Sequence, residues 1–465
     1  MPSKSVIAIL DVGKTNKKLF LFDEAYKIAW EQTAVIQETT DEDGDPCEDL
    51  NLLNTWVRES LIKSMRTGHF IIKAVNFSAY GASFVLVGED GNPVTPLYNY
   101  LKPYPGKIKQ EFYGQYGGEQ AFSLLTASPV LDSLNSGLQL YRIKKEHPEK
   151  FSRIKYAMHL PQYLSWIMTG KACSDITSIG CHTSLWNFSL ENYHEWVYRE
   201  GIMEKLPPIK PSGTVHPVCI KKNEPSVKGI SPDCLAGIGL HDSSAAMIPY
   251  LESFREPFIL ISTGTWCISM NPFNSEPLTI AELRQDCLCY LNFKRKPIKA
   301  SRLFAGSEHE IQVERLAAHF QKDKDYYQSI EFDPGTIIHL RTTEKPAAFS
   351  HPSSMLSASV FAQRELSGFQ NYEKAYHRLL MDIMDQQTVS TKLILTDEIK
   401  RIFVDGGFSR NPVYMHLLAA AFPSVEVFAA SIAQASAIGA AMVIHEHWNN
   451  RRLPSDMIEL KYYKS

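Results

Sequence analysis

Four short segments of this chain combine glycines with carboxylate or hydroxyl side chains in spacings suited to holding a phosphate. The first, Asp11-Val-Gly-Lys-Thr-Asn-Lys-Lys18, lies between two apolar runs. Such a compact turn can cradle a phosphate with backbone N–H groups while its carboxylate faces a hydrated cation. Taken singly, it suits a plain hairpin turn with a solvated basic tip better. Ser262-Thr-Gly-Thr265 repeats the theme with hydroxyls. Asp405-Gly-Gly-Phe-Ser-Arg-Asn-Pro412 follows a strand-like run and precedes a helical one. Its glycines would let backbone amides close on an anionic ligand, although a tight βα turn without a ligand fits as well. The fourth, Gly239-Leu-His-Asp242-Ser-Ser-Ala-Ala246, puts an aspartate at the start of a small-residue helix. An aspartate there is ordinarily an N-cap. In a cleft it can instead take the proton of a hydroxyl that attacks a phosphoryl group.

The elements around these segments must bring them into place. Val6-Ile-Ala-Ile-Leu10 and Leu19-Phe-Leu-Phe22 flank the first turn, and Phe258-Ile-Leu-Ile261 and Cys267-Ile-Ser-Met270 flank the second. Both read as hairpins, about 250 residues apart, so the chain is expected to repeat one architecture in two halves. Helical spacing from Asp49 to Met65 and from Gly137 to His147, with strand-like runs at Ile71–Val75, Phe84–Val87 and Ile402–Val404, makes the fold class α/β. The Pro-containing stretch from Pro249 to Pro257 marks the boundary, giving domains 1–250 and 251–465. Segment 206–232, rich in Pro and basic residues, reads as a surface excursion.

Composition narrows the partners. With 465 residues, 44% hydrophobic and 21% charged, and 48 Lys+Arg against 51 Asp+Glu, the chain is an ordinary globular protein with net charge −3. Nucleic acid and anionic membranes need clustered basic residues in excess, so neither is expected as a partner. The N-terminus lacks the apolar core of an export signal, and the weakly polar stretch 429–444 is too short and too polar to span a bilayer. The eight cysteines form no metal-binding spacing and read as reduced thiols of a cytoplasmic protein. Lys14-Thr15 resembles the end of a P-loop, but the GxxxxGK[ST] pattern is absent and a strand follows, which rejects a Walker-type NTPase. His241-Asp242 has no second set of His and Asp ligands, which argues against a metal phosphohydrolase.

Taken together, the four motifs in this order resemble the FGGY family of carbohydrate kinases, across essentially the whole chain. The resemblance implies the two-domain actin-like ATPase (ribonuclease H-like) fold, with ATP and Mg2+ in an interdomain cleft and a small-molecule sugar as acceptor. It further implies Asp242 as the general base and Asp11 as the residue orienting hydrated Mg2+. Gly13, Thr15, Asn16 and Lys17 would line the first phosphate turn, with Lys14 adding a charge contact to ATP or pointing outward. Gly264 and Thr265 would meet the β- and γ-phosphates, and Gly406 and Gly407 would pack under the adenosine. Gly81, His241, Ser243 and Asn292 would touch the sugar. Ser-Thr-Gly-Thr265-Trp266, His241-Asp242 and Tyr80-Gly81 are most similar to the rhamnulokinase and L-fuculokinase subgroup.

Three positions depart from that family's pattern. Lys14 stands where most members carry Thr or a small residue, Ser83 replaces an expected acid near Gly81, and the loop Tyr98-Asn-Tyr-Leu-Lys-Pro103 lacks the usual Asp and Arg. The last two fall where the sugar is read, which makes a kinase for another pentulose or polyol, such as xylulose, the first alternative. A catalytically silent ATP-dependent sugar sensor is the second. A homodimer is compatible with these residues, although no segment specifies one.

Overall fold

The computed structural model describes residues 4–66, 68–219, 230–343, 360–432 and 434–464. The chain divides into two compact units. Unit 1 comprises Met1–Ser253, Cys289–Lys296 and Gln434–Met457; unit 2 comprises Phe254–Leu288, Pro297–Ala433 and Ile458–Ser465.

Unit 1 is built on a mixed sheet of β1 (Lys4–Val12), β2 (Asn16–Asp23), β3 (Ile28–Val35), β4 (Phe70–Ala79), β5 (Val215–Pro217), β6 (Ile230–Gly237) and β7 (Leu240–His241). The strand order is β5-β6-β4-β1-β2-β3, with β7 on the end of β4. The run Val6–Leu10 is apolar without alternation because both faces of β1 are covered. On one face Val6, Ala8 and Leu10 share a core with Leu53, Val57 and Leu61 of helix α1 (Leu50–Arg66). Helix α2 (Asp242–Ser253) starts directly after β7. Pro249 lies inside that helix, and the first division between the units falls after Ser253, within the stretch from Pro249 to Pro257. Segment 206–232, expected as a surface excursion, contributes β5 and the start of β6 to the sheet; residues 220–229 of it lie outside the described residues.

Unit 2 repeats the plan with β8 (Phe258–Thr263), β9 (Cys267–Asn271), β10 (Cys287–Leu291), β11 (Pro297–Leu303), β12 (Arg401–Gly406), β13 (Glu426–Ser431) and β14 (Glu459–Tyr463), in the order β10-β11-β9-β8-β12-β13-β14. Helices α3 (Ala305–Phe320), α4 (Tyr372–Lys392) and α5 (Pro412–Ala421) belong to this unit. The central strands β1 and β8 have the same neighbours. Each pairs antiparallel with the next strand of its hairpin on one side. On the other side come two parallel strands and an antiparallel edge strand. The repeated architecture expected from two similar hairpins is thus present strand by strand.

After β13 the chain returns to unit 1 as helix α6 (Ala435–Met442), which packs on β1, β4 and α2. Its contact with α2 is a backbone approach: a Cβ on Gly439 would overlap the Ala245 carbonyl. Ala245 is the residue whose carbonyl a normal helix would pair with the N–H at position 249, and Pro249 has none to offer. The proline thus opens the carbonyl that Gly439 covers. No helix of the described residues is long and apolar enough to cross a membrane.

Candidate active site

Asp11 and Asp242 come together in unit 1. Asp11 is the penultimate residue of β1, and Asp242 is the first residue of α2. Ser436, in the first turn of α6, donates to Asp11 Oδ2 at 2.9 Å. Desolvation, then the charge of Asp242, raise the Asp11 carboxyl to about 6, against the lowering effect of the Ser436 bond and Lys18. Desolvation likewise raises Asp242 to about 6, although Ser243 N–H donates to its Oδ1 at 2.6 Å. The Asp242 side chain stays 34% exposed, so water and a substrate can reach it. The Asp242 charge acts on Asp11, and neighbouring carboxylates of this kind favour a cation close by.

His241 lies against this pair. Its Nε2 is 3.3 Å from Asp242 Oδ1, and its buried Nδ1 has no hydrogen-bond partner. Burial lowers the imidazole to about 4, so the ring is neutral at physiological pH. Nε2 also meets Cys181 Sγ at 3.9 Å. Gly81 packs on the ring, where a Cβ would stand 2.7 Å from His241 Cδ2. The segment leading into Asp242 is tied down from two sides. Gly239 N–H donates to Asn76 Oδ1 at 3.1 Å, and His241 N–H donates to Thr177 Oγ1 at 3.1 Å. Tyr100 belongs to the same neighbourhood, because burial and the Asp242 charge raise its phenol.

The lysines of the first turn divide their tasks. Lys17, 1% exposed, pairs with Glu48 Oε1 at 2.6 Å and donates to the Lys14 carbonyl at 2.9 Å. Glu48 also accepts from Tyr80 OH at 3.0 Å. The Lys17 ammonium, expected to line the phosphate turn, is therefore committed beneath it, bracing the turn backbone. Lys14 is paired with Glu38 and lies 5.8 Å over the Tyr80 ring. Thr15 and Asn16 are exposed at the turn, where Gly13 N–H closes on the Asn16 carbonyl at 2.9 Å.

In unit 2 the other two glycine turns lie on neighbouring strands, with Thr263 opposite Gly406. Thr263 Oγ1 donates to the Asp405 carbonyl at 2.6 Å and accepts from Phe408 N–H at 3.0 Å, which ties the turns together. Gly406 has φ +93°, and a Cβ there would overlap the Thr263 carbonyl. Gly264 and Gly407 are the opposite case: nothing lies within 4 Å of the position a Cβ would take at either. The backbone at Gly264, Thr265 and Gly407 is exposed. Gly264 N–H closes its own turn on the Trp266 carbonyl at 2.9 Å, so the two turns offer an open, glycine-lined surface on a rigid base that a phosphate or nucleoside can approach closely.

Comparison with known proteins bears on this geometry. Residues 6–249 match the N-terminal domain of the FGGY family of carbohydrate kinases, and residues 255–452 match the carbohydrate kinase FGGY C-terminal domain. The chain belongs to the FGGY family of carbohydrate kinases. Among its relatives, a rhamnulokinase of Halalkalibacterium halodurans is 21% identical, with 98% of this chain and 96% of the relative covered. Among solved structures, a carbohydrate kinase from Novosphingobium aromaticivorans superposes with TM-score 0.80 at 21% identity, covering 98% of this chain and 96% of that one. A ligand-bound xylulose kinase from Lactobacillus acidophilus gives TM-score 0.78 at 18% identity, covering 99% and 94%. The fold is that of the two-domain actin-like ATPases, and the protein is an ATP-dependent sugar kinase, an enzyme that moves phosphate to a sugar hydroxyl. Rhamnulokinase relatives and a xylulose kinase structure point to different acceptors, so the family is established at a coarser level than the expected rhamnulokinase or L-fuculokinase subgroup.

Within this carbohydrate kinase, two expected features have local roles. Asn292 is buried in a hairpin turn, where its Oδ1 accepts from Lys294 N–H at 2.8 Å and Lys296 N–H at 3.0 Å, so that oxygen is not offered to a sugar. In the departing loop, Lys102 pairs with Asp41, Asp43 (3.0 Å) and Asp45 (2.8 Å). Those three carboxylates are close enough to share a metal ion, and the ammonium of Lys102 sits among them and offsets one of their three charges. Ser243 is exposed beside the base, with its hydroxyl 3.3 Å from Asp242 Oδ1. Sequence reasoning missed Ser436 and gave no role to Thr177 or Tyr100. Tyr100 lay in a loop already marked as unusual. Ser436 looked like a polar interruption in a small-residue helix, and nothing near it in the chain links it to Asp11.

Proposed function

We propose that Asp242 is the general base of an ATP- and Mg2+-dependent ketose kinase. The observation that carries this is a partly exposed carboxylate at a helix start, flanked by a neutral histidine and by a second carboxylate. Asp242 takes the proton of the acceptor hydroxyl as that oxygen attacks the γ-phosphorus and the bond from it to the ADP oxygen breaks. His241, Gly81 and Ser243 lie beside the base, where they contact the sugar and orient it. Asp11 fits hydrated Mg2+: its Oδ2 is held by Ser436, and its charge adds to that of Asp242 where one cation would relieve both. When bound, Mg2+ neutralises the phosphate oxygens. In unit 2, Gly264, Thr265, Gly406 and Gly407 are suited to nucleotide contacts; in unit 1, Gly13, Lys14, Thr15 and Asn16 are suited to phosphate contacts, with Lys17 as the brace. A cytoplasmic enzyme that works without nucleic acid or membrane, as a monomer or homodimer, suits this chemistry.

For the acceptor, the structural likeness to a ligand-bound xylulose kinase favours a pentulose, and the rhamnulokinase relatives favour a 6-deoxyketohexose. Commitment of Lys102 to Asp41, Asp43 and Asp45 takes the loop's one cation out of sugar recognition, which favours neutral ketoses over acid sugars. ADP release with ATP·Mg2+ over D-xylulose, L-rhamnulose, L-fuculose and gluconate, with Asp242→Asn alongside, tests the proposal. A ketose-dependent rate that Asp242→Asn abolishes supports it. Equal loss of ATP affinity in that variant counts against the base role, and ATP binding with no sugar-stimulated turnover favours a silent sensor.

A further inference from the structure

Behind the base lies a buried hydrogen-bonded chain that the reaction as described leaves unused. Thr177 Oγ1 accepts the N–H of His241, the residue before Asp242, at 3.1 Å. The same hydroxyl is hydrogen-bonded to Asp175 Oδ1, which also accepts from Thr177 N–H at 2.9 Å. Asp175 Oδ2 accepts from Ser212 Oγ at 2.6 Å. Asp175 is 0% exposed, Thr177 is fully buried, and no ion pair to Asp175 occurs among the described residues.

A short helix (Ile176–Ile179) begins after Asp175, and capping its first N–H groups accounts for one of these bonds. Capping alone does not account for a buried carboxylate, since Ser, Thr or Asn caps as well without the cost of desolvating a charge. A carboxylate differs in accepting at both oxygens. Three donors converge on Asp175, and the Thr177 hydroxyl is one of them, so its proton points to Asp175 and its lone pair is turned toward His241 N–H. β7 is only two residues long and pairs with β4 on one side. The Thr177 hydroxyl thus bonds an N–H that no further strand claims, at the last residue before the base.

We propose that Thr177 and Asp175 are positioning residues for Asp242, setting the carboxylate's location through the His241 backbone. This rests on Asp242 being the general base. Loss of the hydroxyl frees the His241 peptide and misplaces the base, which affects the chemical step more than nucleotide binding.

The test compares kcat and KM of full-length Thr177→Val, Thr177→Ser, Asp175→Asn and Ser212→Ala, on the sugar the wild type turns over best, with Asp242→Asn as reference. Thr177→Val is expected to lower kcat by about 10- to 100-fold, as sub-ångström to ångström misplacement of a reacting group does, with KM for ATP within about twofold of wild type. Thr177→Ser, which keeps the hydroxyl, is expected to recover kcat to within about threefold. A merely structural role predicts lower melting temperature with unchanged kcat per folded molecule, and that result would overturn the proposal. So would a serine variant no better than valine. If valine or asparagine prevents folding, Ser212→Ala decides: it loosens Asp175 one bond further from the base, and unchanged kcat there overturns the proposal. Asp242→Asn with undiminished turnover overturns the base assignment itself, whereas an inactive Asp242→Asn beside a fully active Thr177→Val overturns only the positioning role.

Discussion

At the scale of single residues, the site sets reactivity against stability. Asp11 and Asp242 are both raised to about 6. In the unfolded chain an aspartate ionises near 4. The folded state therefore holds the proton more tightly, and the two groups contribute most to stability at low pH, an advantage lost as pH rises through about 6. Asp242→Asn removes the charge that burial disfavours. In the absence of nucleotide and Mg2+ its melting temperature at pH 8 is expected to exceed that of wild type by about 1–3 °C, with the difference shrinking at pH 5. A lower melting temperature at pH 8 would contradict the electrostatic account. The same titration governs catalysis in the opposite sense, because the base works only when ionised. kcat/KM for the sugar should be level above neutrality and fall up to tenfold per unit as pH drops below about 6. A profile flat to pH 5 would exclude a base with that pKa.

At the scale of elements, the glycine turns of unit 2 separate folding from binding. Gly406 combines φ +93° with a carbonyl where a Cβ would go, so Gly406→Ala must distort the turn. It is expected to lower the melting temperature and weaken ATP binding together. Gly407 has open space at that position. Gly407→Ala is expected to leave the melting temperature within about 1 °C while raising KM for ATP several-fold, by narrowing the approach a nucleotide would use. Calorimetric melting and ATP titration of the two variants check this, and equal effects at both positions would remove the distinction. These turns were legible in the sequence because each is a local event: an apolar run, a glycine cluster and another apolar run. The flanking strands were legible for the same reason. Two things were not. Pro249 read as part of the boundary stretch, since the sequence does not reveal that it lies in a helix whose open carbonyl Gly439 covers. Lys17 read as a phosphate ligand because its buried partner Glu48 lies in a different element. Lysine type and position announced a cation but not which anion it meets.

At the scale of the whole molecule, unit 1 is discontinuous in the chain. The site residues Asp11 and Asp242 lie in its first 253 residues, but Ser436, which holds Asp11, arrives from α6, 425 positions later. α6 also buries Ala437, Ile438, Ala440 and Ala441, and Ala440 carbonyl accepts from Asn76 Nδ2 at 2.7 Å in the middle of β4. No periodicity within residues 1–253 signals that this face is incomplete, which is why a division at residue 250 looked sufficient from sequence. A fragment ending at Ser253 would leave the α6-facing side of β1, β4 and α2 open to water and Asn76 without its acceptor. Exposed apolar surface of that kind drives association. The fragment 1–253 is expected to aggregate or to melt without a cooperative transition. Joining residues 434–457 to it through a flexible linker of about 20 residues is expected to give a soluble unit with a cooperative melt, because the linker supplies reach without imposing structure. Size-exclusion chromatography and thermal melting of the two fragments decide the matter. A monomeric, cooperatively melting fragment 1–253 would mean that α6 is dispensable to the fold of unit 1 and serves chiefly to present Ser436 to Asp11.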